Sequence, residues 1–241
     1  MNPEAEAPTV SPSTQQLLRR MTPGQLLPER EARLLASEFN ISVPVSVRLD
    51  AQDLDMRDIG ALRPPFVLKV VSPDVVHKSD VGGVRVGLNN ATEVAEAVRI
   101  MLENFAAAGV TVSGFIVDEL VPADYEIVLG GRVDEVFGPI IMLGIGGIFV
   151  ELLGDVAFRV CPITERDVSS MLDELRGAEY FEGLRGRPRL NKELLTELVL
   201  QVGGEHGLLP SLATVVSEVD FNPIRMSANS AIAVDVRVVA A

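Results

Sequence analysis

The sequence predicts an α+β fold, with antiparallel sheets flanked by helices. Three observations carry this. Strand-like runs are more numerous than helical ones, and the order reads β, β-loop-β, α, several β, α, α, β, β. That order is neither a strict βαβ alternation nor an all-β pattern. The chain is 241 residues long and 47% hydrophobic, which is enough for a sizeable core, and it shows no internal repeat.

Each element has its own signal. Residues from Met1 to about Gln16 are rich in Pro, Ser, Thr and Glu and lack an apolar period. They read as a disordered tail, drawn to residue 20. Residues 26–39 place Leu27, Ala32, Leu35 and Phe39 at helical spacing, with Pro28 suited to a first turn. Residues 41–49 alternate in the strand period, and Pro44 marks an edge or a bend. Residues 51–63 form a short acidic connection. A buried strand over residues 66–71 turns at Ser72-Pro73-Asp74, passes through a polar loop and re-enters a strand at Val84. Asn90 or Thr92 caps an amphipathic helix reaching Ala108. Strands follow over 110–121, over 125–130 with a turn at Gly130-Gly131, over 139–143 and over 155–160. Thr164-Glu165-Arg166-Asp167 opens a helix with an acidic first turn. A Gly- and Arg-bearing loop over 177–190 leads to Asn191, which caps a helix to about Glu205. The last strands are 213–221 and 231–239, the first closed by Asn222-Pro223.

Composition excludes several functions. A formal net charge of −13 argues against general nucleic-acid binding, which needs a basic surface. An acidic protein can still hold a nucleotide if a few cations are focused in one cleft. Tryptophan is absent and aromatics make up 5%, against a base-stacking platform. No apolar run approaches the ~20 residues needed to span a bilayer, and no charged-then-apolar leader opens the chain. The single cysteine, Cys161, rules out an intramolecular disulfide and reads as a small core residue. A cytoplasmic location follows, with no membrane partner.

The chain has three lysines, and two of them, Lys69 and Lys78, fall between Phe66 and Val86 together with His77. Lys69 ends an apolar strand, where it is either a snorkelling lysine or an ammonium directed at phosphate oxygens. His77-Lys78-Ser79-Asp80-Val81-Gly82-Gly83 gathers an imidazole, a cation, a hydroxyl and a double glycine. Gly82 and Gly83 would let backbone N–H groups approach an anion, and neutral His77 can accept a phosphoryl group. The same run also reads as an ordinary polar hairpin. Asp118 and Glu119 end a strand, either as solvated carboxylates or with Glu119 beside a nucleotide's ribose or base. In the second case the backbone of Glu119, Leu120 and Val121 would read the base edge. Gly144-Ile145-Gly146-Gly147 leads to Glu151 without dinucleotide or Walker spacing. Glu218, Asp220 and Asn222 alternate with Val219 and Phe221, so a strand projects the three oxygen donors from one face. Hard oxygen donors without sulfur or imidazole suit Mg²⁺. Arg159 lies among apolar neighbours, and a buried arginine needs an anion, either Glu151 or a phosphate. His206 reads as a helix C-terminal cap and carries no role.

These motifs come in one order together with Glu126, Phe137-Gly138-Pro139, Gly146 to Glu151, Phe158-Arg159 with Pro162, Gly183-Leu184-Arg185-Gly186 and Glu218-Val219-Asp220-Phe221-Asn222-Pro223. The series resembles the ATP-grasp (beta) subunit of the ADP-forming acyl-CoA synthetases, such as ADP-forming acetate–CoA ligase, over about residues 26–239. The resemblance implies an ATP-grasp fold over residues 21–241: two α+β lobes with antiparallel sheets enclosing a nucleotide cleft, the small lobe at about 45–120. It implies ATP or ADP and Mg²⁺ as cofactors. Lys69, Lys78, Gly82 and Gly83 would serve the phosphates. Glu119, Leu120 and Val121 would form the adenine linker, with Glu126 at the ribose. Asp220, Asn222 and Glu218 would hold the metal. His77, Arg159 and Glu151 would be catalytic, with His77 on a mobile loop that carries the phosphoryl group. The implied reaction is acid + CoA + ATP ⇌ acyl-CoA + ADP + phosphate through a phosphohistidine that belongs to the separate alpha portion, with His77 carrying the phosphoryl group between the two sites. The implied partner is a CoA-binding alpha subunit in a heterotetramer, which would hold most of the CoA and acid sites, because this chain shows no CoA-binding portion. The connection over residues 49–64 looks shorter than is usual in the family. A regulatory or degenerate ATP-grasp module, and an ATP-grasp ligase without phosphohistidine, are the other classes. Retention of Lys69, His77, Glu151, Asp220 and Asn222 favours the first reading.

Overall fold

A computed structural model describes residues 10–75, 78–147, 150, 153–183 and 186–241. The chain divides into two compact units, one of Pro44–Val121 and the other of Met1–Val43 with Pro122–Ala241.

In the Pro44–Val121 unit, β1 (Ser46–Asp50), β2 (Phe66–Val71), β3 (Val84–Leu88) and β4 (Gly114–Glu119) form one antiparallel sheet in the order β1-β4-β2-β3. The single long helix, α3 (Ala91–Ala107), starts where the Asn90 side chain accepts the Glu93 N–H. Alternation along β2 sends Phe66, Leu68 and Val70 to one face. There they join Phe115 and Val117 of β4 and Val94, Val98, Met101 and Phe105 of α3 in a core of their own. The opposite face carries Val67, Lys69, Ile116 and Asp118.

The other unit is built on β5 (Tyr125–Asp134), β6 (Gly138–Ile145), β7 (Val156–Val160), β8 (Val216–Met226), β9 (Ala231–Ala233) and β10 (Val236–Ala240). Their order is β10-β8-β5-β6-β7, with β9 also paired to β8. Helices α1 (Pro12–Arg20), α2 (Glu29–Glu38), α4 (Glu165–Glu174), α5 (Lys192–Gly203) and a short α6 (Leu208–Leu212) complete it. Ile127, Leu129, Ile141, Leu143, Val219 and Phe221 share one core with Leu35, Val168, Leu198 and Leu209 from four of these helices.

Four expectations are corrected. The disordered tail expected to residue 20 is helical from Pro12, because Ser11 caps the Thr14 N–H and Pro12 pre-sets the first turn. Val10 and Leu18 of this segment are buried, so its Pro and Ser content marks a helix start. The turn expected at Gly130-Gly131 is absent, and β5 runs through both glycines to Asp134. The chain reverses after Asp134, whose carboxylate accepts the Val136 and Phe137 N–H groups. A Cβ on Gly131 would lie 2.8 Å from Leu209 Cδ2 of α6, so that glycine permits close helix–sheet packing. Likewise Asn222-Pro223 does not close β8, which continues to Met226. The register shift between Ile127 and Leu129 of β5 accommodates a proline that cannot donate to the ladder. Finally, the strand expected from residue 110 starts at Gly114.

Candidate functional site

Lys69 and Asp118 dominate the helix-free face of the smaller sheet. Asp118 stands opposite Val67, and Lys69 stands two residues on, so their side chains share a face across the β2–β4 pair. Lys69 Nζ lies 2.9 Å from Asp118 Oδ2, and the two residues are 7% and 2% exposed. The strand end expected to be solvated is therefore half right. Glu119 lies at the surface end of β4, where its carboxylate accepts the Arg63 N–H, while Asp118 is a buried counter-ion. Asp118 was not among the expected site residues, because its pairing with Lys69 depends on strand register that the sequence does not display. The N–H groups of Glu119 and Leu120 are bonded to the carbonyls of Val45 and Pro65. Those two linker donors are used inside the unit, not presented to a base edge.

The double glycine closes a loop. Gly82 takes φ +72°, which a residue with a Cβ rarely adopts. A Cβ on Gly83 would come within 2.6 Å of Val70 Cγ1. The Gly83 N–H donates to the Lys78 carbonyl at 2.7 Å, and the Gly82 N–H to Ser79 at 3.3 Å. These N–H groups are committed to the hairpin, which corrects the expectation that Gly82 and Gly83 offer donors to an anion. Lys78 is half-buried at the same turn. His77 lies outside the described residues, as does Glu151.

The second set of candidates lies on the larger sheet. Val219 and Phe221 are buried while Glu218 and Asn222 are exposed and Asp220 is half-buried, so the expected alternation holds along β8. Asp220 pairs in register with Gly130 and with Arg237, whose guanidinium is 4.0 Å from the Asp220 carboxylate. Glu218 stands opposite Arg132. A concavity of ≈ 500 Å³ opens on this face, lined among others by Gly130, Met142, Phe158, Glu218 and Asp220. A Cβ on Gly130 would face this concavity in ordinary van der Waals contact, 3.8 Å from Asp220 Oδ1.

One further acidic residue escaped the sequence reading. Ladder pairs Ile224↔Ala233 and Phe221↔Val236 keep a single register on either side of residues 234 and 235. The Val234 N–H donates to the Pro223 carbonyl at 3.1 Å within that register. Asp235, in the bend between β9 and β10, therefore falls at the register position opposite Asn222, two residues before Arg237. Its signal in the sequence was a lone acid inside Ala231-Ile232-Ala233-Val234-Asp235-Val236-Arg237-Val238. The donors at this corner are carboxylate and amide oxygens, which fit a hard cation such as Mg²⁺. Among the described residues no three His, Cys, Asp or Glu gather as a ready metal cage. Mg²⁺ commonly takes one or two carboxylates together with phosphate oxygens.

Arg159 does not belong to this face. It pairs with Ile141, whose neighbour across the sheet is Gly131, so it points to the helix-covered side. There it binds the Glu174 carboxylate and Ser170 of α4, and Glu174 in turn holds its pKa above the usual arginine value. The anion that Arg159 binds is thus Glu174, in place of the expected Glu151 or phosphate, and the expectation that Arg159 faces the phosphates is corrected. Glu126 sits opposite Arg225, 3.5 Å from its guanidinium, and its carbonyl accepts the Gly146 N–H at 2.7 Å. Cys161 is packed against the core, where burial pushes its thiol up to about 11. No helix among the described residues is long and apolar enough to cross a membrane.

Residues 19–240 match the ATP-grasp domain family, and the chain belongs to that family. Within it, the chain is 36% identical over 215 residues to the beta subunit of acetate–CoA ligase [ADP-forming] I of Pyrococcus furiosus, covering 88% of this chain and 91% of the relative. It is 37% identical over 188 residues, 77% of this chain, to acetate–CoA ligase [ADP-forming] I of Archaeoglobus fulgidus, of which it spans 27%. Among solved structures it superposes with a TM-score of 0.83 and 32% identity on the dinucleotide-forming acetyl-coenzyme A synthetase 1 of Ca. Korarchaeum cryptofilum, in complex with coenzyme A and Ca-AMPCP. That match covers 95% of this chain and 100% of the other.

Proposed function

We propose that this chain is the nucleotide-handling beta subunit of an ADP-forming acyl-CoA synthetase, catalysing carboxylic acid + CoA + ATP ⇌ acyl-CoA + ADP + phosphate with a CoA-binding alpha subunit. The observation that carries this reading is the corner of Asp220 and Asn222 on β8 with Asp235 in the bend before β10, in a chain that aligns with nearly all of an ADP-forming beta subunit. The corner would hold Mg²⁺, with Glu218 one alternation further along the same face. When bound there, Mg²⁺ supplies charge neutralisation and orientation of phosphate oxygens.

Lys69 supplies positive charge to the phosphates, and buried Asp118 keeps its ammonium in place. Glu119, Val121 and Glu126 serve the base and ribose. His77 takes the phosphoryl group: its neutral imidazole nitrogen bonds to phosphorus as the bond to the ADP oxygen breaks. A phosphohistidine segment points towards the nucleotide-binding site in one structure of the Ca. Korarchaeum cryptofilum enzyme with Mg-AMPPCP, which supports a phosphoryl relay through histidine. The alpha partner, arranged with this chain as a heterotetramer, would hold CoA and the acid. A cytoplasmic location suits a lone cysteine, which stays reduced there.

The test is calorimetry of the full chain with ADP or ATP, with and without Mg²⁺, followed by turnover with a CoA-binding partner. Metal-dependent nucleotide binding that Asp220→Ala weakens, with turnover lost in His77→Ala, is the expected result. Absence of nucleotide binding would remove the reading. Binding without turnover beside a competent partner would turn it towards a regulatory module.

A further inference from the structure

Beneath the acidic corner lies a buried ion pair that the proposed chemistry does not use. Glu29 and Arg33 occupy successive turns of α2, and Arg33 Nη2 lies 2.5 Å from Glu29 Oε1. Their side chains are 8% and 6% exposed, on a helix whose other buried residues are Ala32, Leu35 and Ala36. A buried ion pair contributes little net stability, because desolvation offsets the attraction. Its position is more informative. The same Arg33 nitrogen donates to the Val234 carbonyl at 3.4 Å, across 201 residues of sequence. That carbonyl belongs to the peptide immediately before Asp235. The Val234 N–H is tied to Pro223, the residue after Asn222, and the Ala233 N–H to Ser42. Residues leading into α2 are laced to β10 by Leu27 N–H to Val238 and Ala240 N–H to Gln25. Residue Val234 is therefore held through its N–H by the strand bearing Asn222 and through its carbonyl by α2.

We infer that Arg33, oriented by Glu29, is a positioning residue that fixes the 234–235 peptide and so sets the Asp235 carboxylate beside Asn222. The inference rests on the reading of Asp220, Asn222 and Asp235 as metal donors. Groups one shell out from a metal fix the direction of its ligands, and their loss commonly weakens metal affinity 10- to 100-fold. Arg33 reaches the ligand through the main chain, so its removal changes where Asp235 points without removing a donor.

The test uses the full-length chain and Mn²⁺ as a paramagnetic substitute for Mg²⁺. Free Mn²⁺ is measured by electron paramagnetic resonance in the presence of saturating ADP. The Glu29→Met/Arg33→Met double variant removes both charges and keeps the volume, so the fold is expected to survive. Its midpoint for Mn²⁺ is expected to rise by about tenfold, while ADP affinity without metal stays at the wild-type value. A folded double variant with a wild-type Mn²⁺ midpoint overturns the inference, as does an equal loss of ADP affinity with and without metal. Arg33→Lys keeps a cation beside Glu29 but lacks the guanidinium fork, and an intermediate midpoint is expected. Should the double variant fail to fold, Arg33→Lys decides, and a wild-type midpoint overturns the inference. If the wild type binds no Mn²⁺ with ADP, the metal reading fails with it. If the wild type binds and the variants match it, the positioning role alone fails.

Discussion

At the scale of single residues, the sequence exposed oddities and concealed partners. Lys69 stood out because an ammonium seldom ends an apolar strand. Its counter-ion did not, since Asp118 joins it through the register of β2 on β4. Breaking a buried pair strands the remaining charge. Asp118→Ala is therefore expected to lower unfolding free energy by about 3 kcal/mol in urea titrations. Lys69→Met with Asp118→Leu should restore stability and still lack nucleotide affinity. Recovery of both would deny Lys69 a part in binding. Arg159 shows the reverse: its apolar neighbours in sequence suggested burial, yet alternation on an edge strand sends it to Glu174. Cys161 was read as a core residue, and burial raises its thiol from 9.0 to about 11. A thiol whose folded pKa is raised adds stability that is full below its unfolded pKa and is lost as pH climbs to the folded value. Stability should fall between pH 9 and about 11 in a manner that Cys161→Ala abolishes, as chemical denaturation across that range would show.

At the scale of elements, strands and capped helices were legible because alternation and cap chemistry are local. The helix start at Thr164-Glu165-Arg166-Asp167 was visible in four residues, and α4 opens there with a capping box between Thr164 and Asp167. Thr164→Ala should cost about 1 kcal/mol by thermal denaturation. Glycines were less legible, since a glycine required by a turn and one required by a neighbour look alike. Gly130 and Gly131, both expected in a turn, both lie inside β5, and only Gly131 is pressed by a neighbour. Gly131→Ala drives a methyl against Leu209 and the Ile140 carbonyl, and should destabilise by about 1–3 kcal/mol. Gly130→Ala meets atoms no nearer than 3.6 Å, so the protein should stay folded while the added methyl narrows the concavity beside Asp220. Equal melting temperatures for the two variants would contradict this account. Asp235 was missed for a related reason: its register position opposite Asn222 joins two segments, and no single strand contains both.

At the scale of the whole molecule, the ordered series of motifs identified the ATP-grasp fold, whereas periodicity alone reached only the α+β class. Neither sheet order is readable from composition. Each unit carries its own hydrophobic core, and residues 44–121 should fold as an isolated fragment with cooperative unfolding and dispersed amide resonances. The chain also leaves the larger unit at Val43 and returns at Pro122, so the smaller unit is an insertion. This connectivity has a consequence for biosynthesis. On the ribosome, α2 emerges long before β10, the strand against which its Leu27 entry residue is bonded. The inserted unit can complete its core while α2 still lacks its sheet. The Glu29–Arg33 pair, which closes on Val234, is among the last contacts a nascent chain can make. Until then the apolar face of α2 has no sheet of its own to cover it, and a holding chaperone would find it there during synthesis.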